Sequence, residues 1–336
     1  MILVDPKNRF HRRVEVMHGQ KPPHNTLWSL ILAGGEGTRM HPLITSWIGI
    51  PLPKQYCTFL GTRSLLQHTW DRADQVSAPP HKITVVAAHH YAFLGPESPL
   101  RGQILFQPKN CGTGPGVYSA LAYLKAWNPQ ATVIICPCDH AIFPENRFCQ
   151  QILHAVEAAE QWPHRLILFG HAASPTYHQA DWVVRQDIMG MVHGMPVWKV
   201  QAFDEAMLRD GSHEEGDRRP RFPFVVVAKV DTVWRLGWRH FPQFMHRAET
   251  LRVTVGTPHE SYALHSMYRE LSQWNFVSDF LMHIPEEMGV LDAQGLLWSD
   301  WDSPEDIVDM LRALNTRPTA GLERFIPQNG VSLLTT

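Results

Sequence analysis

Residues 27–39 read LWSLILAGGEGTR. The largely apolar run 27–33 ends directly at Gly34 and Gly35, a pattern typical of a buried strand followed by a turn. Glycines let the backbone approach a phosphate chain closely and turn its N–H groups toward the oxygens. Arg39 adds a bidentate donor for phosphate. The stretch therefore predicts a strand and a phosphate-binding loop, with a simple strand-ending turn as the alternative.

The chain on either side of this stretch alternates between strand-like and helix-like patterns. Strands are predicted at 82–88, 103–107, 131–136 and 165–170, and helices at 64–76, 118–127 and 146–161. Further strands (182–185, 197–200, 224–228) and helices (231–240, 260–271, 303–314) are predicted in the less regular second half. This alternation predicts an α/β fold, a Rossmann-like, mostly parallel mixed sheet flanked by helices on both faces.

The predicted fold places the polar clusters of the first half together. Ligands of such sheets bind beyond the carboxyl ends of the strands. Residues 34–39 and 137–140 both follow strands directly. We therefore expect both clusters at one edge of the sheet.

Composition limits the classes of function. The 336 residues suffice for one large α/β domain or two domains that share a core. The formal net charge of −2 gives no electrostatic footprint for nucleic acid. The sequence contains no run of about 18 apolar residues, the length that predicts a membrane span. A cytoplasmic location is therefore the default expectation. The five cysteines are an odd number without regular spacing and describe no disulfide framework.

Further motifs carry residues suited to phosphate and metal. Lys54 follows two prolines, although a surface lysine usually has no such role. Asp139 ends a strand, where a carboxylate can hold Mg²⁺ together with substrate phosphates. Asp300 is a second candidate; it could instead cap a helix, but Ser303 suits that position better. Zinc ligation by Cys136, Cys138 and His140 is disfavoured because no partner pair follows at zinc-finger distance.

Four segments, LILAGGEGTRMHPL (30–43), PKQY (53–56), QPKNCGTGPG (107–116) and PCDH (137–140), resemble the mannose-1-phosphate guanylyltransferase family in order and spacing. That family belongs to the sugar-1-phosphate nucleotidyltransferases. The strong resemblance covers roughly residues 28–170. A weaker one runs through 275–307, where Asp279 and Asp300 stand in the acidic positions. The family's sugar-phosphate segment, F-V-E-K-P, is not recognisable, and 197–202 is the nearest stretch.

The resemblance implies a site and a reaction. Its catalytic residues would be Arg39 and Lys54, and Asp139 and Asp300 would hold Mg²⁺. The expected substrate-binding residues are Gly34, Gly35, Gly37, Thr38, Gln107, Gly112, Thr113 and, for the sugar phosphate, Lys199. The implied reaction joins an NTP, with GTP favoured, to a sugar 1-phosphate, with mannose 1-phosphate as a candidate, and releases pyrophosphate. The alternatives are a weak or inactive relative that binds nucleotide as a regulatory or partner subunit, and a transferase for a non-sugar phosphate.

The same reasoning divides the chain. Residues 1–26 are expected to be an extension, 27–314 a nucleotidyltransferase domain and 315–336 a tail. Within the domain, 27–170 would bind nucleotide and 171–314 the sugar. No nucleic acid or membrane partner is expected, and a homo-oligomer is a possible assembly.

Overall fold

The computed structural model describes residues 27–95, 101–171, 181–204 and 221–327. Residues 1–26, which the sequence assigns to an extension, lie outside this part. Twelve strands occur in the described residues: β1 Leu27–Ala33, β2 Lys82–Ala87, β3 Gln103–Gln107, β4 Thr132–Pro137, β5 Ala141–Phe143, β6 Leu166–His171, β7 Asp181–Val192, β8 Met195–Asp204, β9 Arg221–Phe222, β10 Val226–Lys229, β11 Met288–Ala293 and β12 Leu297–Ser299.

Helices flank these strands. Among the described residues they are α1 His41–Ile48, α2 Leu65–Val76, α3 Thr113–Trp127, α4 Glu145–Gln161, α5 Val230–His240, α6 Pro242–Thr254, α7 Glu260–Tyr268 and α8 Pro304–Ala313. Short 3-10 turns at Thr38–Met40, Lys54–Tyr56 and Ala88–Phe93 line the carboxyl edge of the sheet.

The main sheet has the order β11-β8-β7-β9-β6-β10-β4-β1-β2-β3. Strands β3, β2, β1 and β4 are parallel, and β10 lies antiparallel between β4 and β6. Strand β11 pairs with both β8 and β6, so this end of the sheet curls back on itself. The Rossmann-like, mostly parallel mixed sheet expected from the sequence is confirmed.

Hydrophobic cores cover both faces of the sheet. Successive side chains of a strand point to opposite faces, so Leu30 joins the core beneath α3 and α5–α7 while Ile31 joins the smaller core beside α2. A third core lies under α4 and includes the fully buried Trp298. Burial on both faces explains the continuous apolar run of β1, because a strand with no exposed face needs no polar alternation.

Some boundaries differ from the predicted ones. Helix α3 begins at Thr113, five residues before the predicted start. Pro115 is compatible with this earlier start because the first turn of a helix needs no backbone N–H from proline. Helix α6 and strand β11 were not predicted. Residues assigned to a tail are partly packed, since Leu322 and Ile326 are buried in the core around α1 and α8.

Candidate active site

The glycine-rich loop leaves β1 at the carboxyl edge of the sheet. Gly37 adopts a left-handed φ of 61°, and a Cβ there would lie 3.0 Å from Cγ of Lys54. A Cβ at Gly34 would lie 2.7 Å from Oε1 of Gln107, whereas one at Gly35 would meet nothing within 4 Å. The left-handed backbone and the Lys54 contact therefore favour glycine at 37, a side chain at 34 would have to displace the Gln107 amide, and the space at Gly35 is open.

Gln55 holds this loop in place, and sequence reasoning missed it. Its buried amide donates to the carbonyl oxygen of Gly35 at 2.7 Å and to that of Ala33 at 3.2 Å. The only signal in the sequence is its position directly after Lys54. Two hydrogen bonds from one buried side chain fix the start of the loop against the neighbouring turn.

Lys54 is the centre of the site. Its side chain is 4% exposed, and its ammonium group donates to the backbone carbonyl of Asp300 at 2.6 Å and to the Asp302 carboxylate. Asp139 Oδ2 lies 3.2 Å away. Burial opposes the charge on the ammonium, but Asp139 and then Asp302 outweigh it and raise the pKa of Lys54 above its usual value. The lysine is therefore a permanent cation at neutral pH.

The carboxylates around Lys54 have different pKa values. Burial would raise the pKa of Asp139, but the Lys54 ammonium outweighs it and holds the pKa below its usual value. For Asp300, burial and then the neighbouring Asp302 raise the pKa to about 7. Asp139 is thus a stable anion, whereas the Asp300 carboxyl lacks sufficient positive charge nearby.

Asp302 is the carboxylate that sequence reasoning missed. Its Oδ2 accepts from Arg39 at 2.6 Å while its other oxygen accepts from Lys54, so it bridges the two predicted catalytic cations. The intervening Trp301 is buried and has a left-handed φ of 48°, a strained conformation for a non-glycine residue. Asp300 therefore reaches Lys54 through its backbone, and Asp302 does so through its side chain.

A small second sheet brings residues 139 and 300 to the same place. Strand β5 pairs with β12, with Ala141 opposite Ser299. The indole of Trp298 also donates to Nδ1 of His140 at 3.1 Å. Strands β5 and β12 and one buried aromatic contact thus bring Asp139 and the backbone of Asp300 to the Lys54 ammonium, and a metal shared by the two carboxylates stays a prediction.

Residues 112–114 of the segment 107–116 pack against the loop that contains Trp274. A Cβ at Gly112 would collide with the Trp274 carbonyl oxygen, and one at Gly114 would collide with the Trp274 ring. The Thr113 hydroxyl accepts from the Phe276 amide at 2.8 Å. Gly112 and Thr113 thus contact the loop that contains Trp274, and the expectation that they bind substrate stays a prediction.

Gln107, at the start of the segment 107–116, lies beside Gly34 of the glycine-rich loop. Its Nε2 donates to the Tyr268 hydroxyl at 3.1 Å, and this hydrogen bond turns Oε1 toward Gly34. Because Tyr268 also contacts the Pro115 carbonyl and Ser119, the amide orientation is set by a buried network. The structure thus presents an acceptor oxygen beside the glycine-rich loop.

Lys199 is not part of this cluster. It lies opposite Gly289 in β8–β11 pairing, and Gly289 lies opposite Ile167 near the start of β6. Asp139, in contrast, follows the end of β4, a strand that points in the same direction as β6. Lys199 thus lies toward the opposite strand end from Asp139 and forms an ion pair with Asp187 at 4.0 Å, and its role at the sugar phosphate stays a prediction.

No helix in the described part of the chain is long and apolar enough to cross a membrane. The fold and site define an α/β protein with a glycine-rich loop and a buried lysine at the carboxyl edge of its sheet. Residues 29–195 match the family described as the MobA-like NTP transferase domain. These residues belong to that NTP transferase family, and the resemblance to the sugar-1-phosphate nucleotidyltransferases is confirmed.

Curated relatives match the first half of the chain. The xanthan biosynthesis protein XanB of Xanthomonas campestris pv. campestris is 33% identical over 146 residues, which are 42% of this chain and 30% of that protein. A mannose-1-phosphate guanylyltransferase of Salmonella montevideo is 32% identical over 144 residues, 42% of this chain and 29% of that protein. The chain thus spans about 30% of the length of these relatives.

Solved structures share the fold over most of the chain. The structure described as mannose-1-phosphate geranyltransferase from Thermus thermophilus has a TM-score of 0.67 at 18% identity, covering 87% of this chain and 80% of that one. An inositol-1-phosphate CTP transferase from T. maritima has a TM-score of 0.53 at 13% identity, covering 90% of this chain and 98% of that one.

Proposed function

We propose that this protein joins an NTP to a sugar 1-phosphate and releases pyrophosphate. The observation that carries the proposal is the permanent Lys54 cation, held by Asp139 beside the open face of Gly35. A triphosphate placed against Gly35 would lie within reach of Lys54 and Arg39. Arg39 and Lys54 would then exchange part of their contacts with carboxylates for contacts with phosphate oxygens.

The chemistry requires positioning and charge neutralisation. A sugar phosphate oxygen attacks the α-phosphorus, the new P–O bond forms, and the bond to pyrophosphate breaks in line with the attack. The attacking phosphate is already anionic, so no general base is needed. Arg39 and Lys54 offset the charge that develops on the departing pyrophosphate.

We propose that Asp139 and Asp300 hold Mg²⁺. Three carboxylates (Asp139, Asp300 and Asp302) face two cations (Arg39 and Lys54) in this cluster, and the pKa of Asp300 rises to about 7 through burial and its acidic neighbours. A divalent cation relieves such an excess of negative charge. When bound, Mg²⁺ supplies charge neutralisation at phosphate oxygens. Asp302 is already held by Arg39 and Lys54, so it is the less suitable ligand.

GTP is the nucleotide that we favour. The Gln107 network turns an acceptor oxygen toward the loop. An acceptor can receive a hydrogen bond from the ring N–H or the amino group of guanine, so it is compatible with GTP, and the family resemblance selects GTP among the nucleotides. Among hexose phosphates, mannose 1-phosphate is supported by the resemblance, but the unrecognisable F-V-E-K-P segment and the remote Lys199 favour weak use of it or a different sugar.

The second candidate is a catalytically weak relative that binds nucleotide as a regulatory or partner subunit. The observation that favours it is the position of Lys199 at the wrong end of the strands, which leaves the sugar phosphate without its expected cation. Retention of Lys54, Arg39 and Asp139 in one cluster favours the active enzyme.

Pyrophosphate release distinguishes the two. The full chain is assayed with Mg²⁺, each of ATP, GTP, CTP and UTP, and a panel of sugar 1-phosphates that includes mannose and glucose 1-phosphate. We expect release with GTP and a hexose 1-phosphate, and a rate lower by roughly 10²–10³ for Lys54→Ala. Lys125→Ala is the matched control, since this lysine pairs with Asp231 on the α3 surface. NTP binding without turnover for any sugar supports the second candidate, and absence of NTP binding contradicts both.

A further inference from the structure

A second group of ligating side chains lies on the outer side of the glycine-rich loop. Glu36 belongs to that loop, and His89 and His90 belong to the short helix Ala88–Phe93 that follows β2. The potential ligand atoms of the three residues lie within 4.8 Å of one another. Nε2 of His89 is 2.9 Å from Glu36 Oε1, and Nε2 of His90 is 3.4 Å from Oε2.

The surroundings of His90 select Nε2 as the ligating nitrogen. Its ring is fully buried, with Tyr56 packed edge-on at 5.5 Å. Nδ1 lies 3.4 Å from the Ala33 carbonyl oxygen, which can only accept, so the proton belongs on Nδ1. With that proton on Nδ1, the Nε2 lone pair faces a carboxylate oxygen of Glu36, and a metal cation or a second proton would satisfy this pair of acceptors. A backbone carbonyl that orients a histidine in this way is typical of metal-bound histidines.

The group is also accessible to an ion. The side chains of His89 and Glu36 are 62% and 37% exposed, so one side of the cluster is open to solvent. Two imidazoles and one carboxylate, with the remaining positions open, suit a first-row divalent metal such as Zn²⁺ or Co²⁺ better than Mg²⁺. Among the described residues, no lysine or arginine forms an ion pair with the Glu36 carboxylate, in contrast to Asp302.

We propose that Glu36, His89 and His90 bind one divalent transition-metal ion and tie the glycine-rich loop to the end of β2. The site is separate from the Asp139–Asp300 pair, and it does not depend on nucleotidyl transfer. A metal held by Glu36 would restrict the segment between Gly35 and Gly37.

Zinc binding by the full chain tests the proposal. The chain is treated with EDTA, exchanged into chelator-free buffer, and titrated with ZnCl₂ alone in a calorimeter. Co²⁺ absorption spectra report the ligand geometry. We expect one site whose affinity falls at least about tenfold in Glu36→Gln and in His89→Asn, since even indirect partners of a metal contribute that much. Zinc should also raise the melting temperature of the wild type and not of these variants.

Two control variants show whether zinc binding belongs to this cluster. His68→Asn removes an imidazole that also pairs with a carboxylate, but Arg72 shares that carboxylate and excludes a metal there. Asp300→Asn removes a ligand of the proposed Mg²⁺ pair. Both variants should keep the zinc site. The proposal is overturned if wild type binds Zn²⁺ no more tightly than Glu36→Gln and His89→Asn, which would make the cluster an ordinary ion-pair network.

Discussion

At the residue scale, neighbours give chemically identical carboxylates different properties. Asp139 faces the Lys54 ammonium and is a stable anion, while burial and then the neighbouring Asp302 raise the pKa of Asp300 to about 7. Asp302 lies between Arg39 and Lys54 and holds both. The properties of each carboxylate therefore depend on which charge it faces. Through Arg39, Asp302 joins residues 34–39 to the C-terminal part of the chain.

The contribution of Asp302 can be measured as stability. We predict that Asp302→Asn lowers the free energy of unfolding by about 1–3 kcal/mol, because the buried Lys54 loses a charged hydrogen-bond partner. Urea denaturation measures this change. Asp309→Asn, which breaks an exposed pair with Arg312, should stay within about 0.5 kcal/mol of wild type. Equal stabilities of the two variants would contradict the bridging role.

At the scale of elements, the loop between β1 and the turn Thr38–Met40 contains two kinds of glycine. At Gly34 and Gly37 a side chain would have to displace Gln107 or Lys54, and Gly37 also has a left-handed backbone conformation. A Cβ at Gly35 would meet no described atom within 4 Å, so packing against the described residues does not require glycine there. The loop is therefore shaped by protein contacts at both ends and is open in the middle.

Two valine substitutions distinguish these positions. We predict that Gly35→Val keeps the free energy of unfolding within about 0.5 kcal/mol of wild type and loses NTP binding, since the side chain fills the space that phosphates need. Gly37→Val should destabilise the protein by more than about 1 kcal/mol, because valine would have to adopt the left-handed conformation of Gly37 and would press against Lys54. Urea denaturation and calorimetric NTP titration measure both effects. NTP affinity near wild type in Gly35→Val would remove the main support for the phosphate site.

At the scale of the whole molecule, the sheet is continuous across the two predicted halves. Strand β10 lies between β4 and β6, although it follows them by more than fifty residues. Strand β12 pairs with β5 and delivers Asp300 and Asp302 to Lys54. Both the sheet and the site are therefore incomplete without residues from the second half of the chain.

A pair of fragments tests this dependence. We predict that fragment 27–204 shows no cooperative thermal unfolding, because the edges of β4 and β6 that pair with β10 are left exposed. Fragment 27–327 keeps all described elements and should unfold cooperatively, as followed by circular dichroism. Cooperative unfolding of the shorter fragment with NTP binding intact would show that the first half is an independent domain.

The local elements could be predicted because their causes are local. The apolar run of β1, the pattern of β3 and the start of α8 at Ser303 depend on residues that are adjacent in the chain. Ser303 and Asp306 form a reciprocal cap, as the spacing indicates. The glycine-rich loop was recognisable for the same reason, since Gly34, Gly35 and Gly37 follow a strand directly.

The tertiary structure alone decided which distant residues meet. The sequence by itself determined the class of fold, the carboxyl-edge location of the site and the role of Lys54 as a candidate. It could not place Asp302 between Arg39 and Lys54, cover Gly112 with Trp274, or separate Lys199 from the site. Each of these contacts joins residues that are distant in sequence or depends on strand register, and the local pattern of side chains does not specify which distant residues meet.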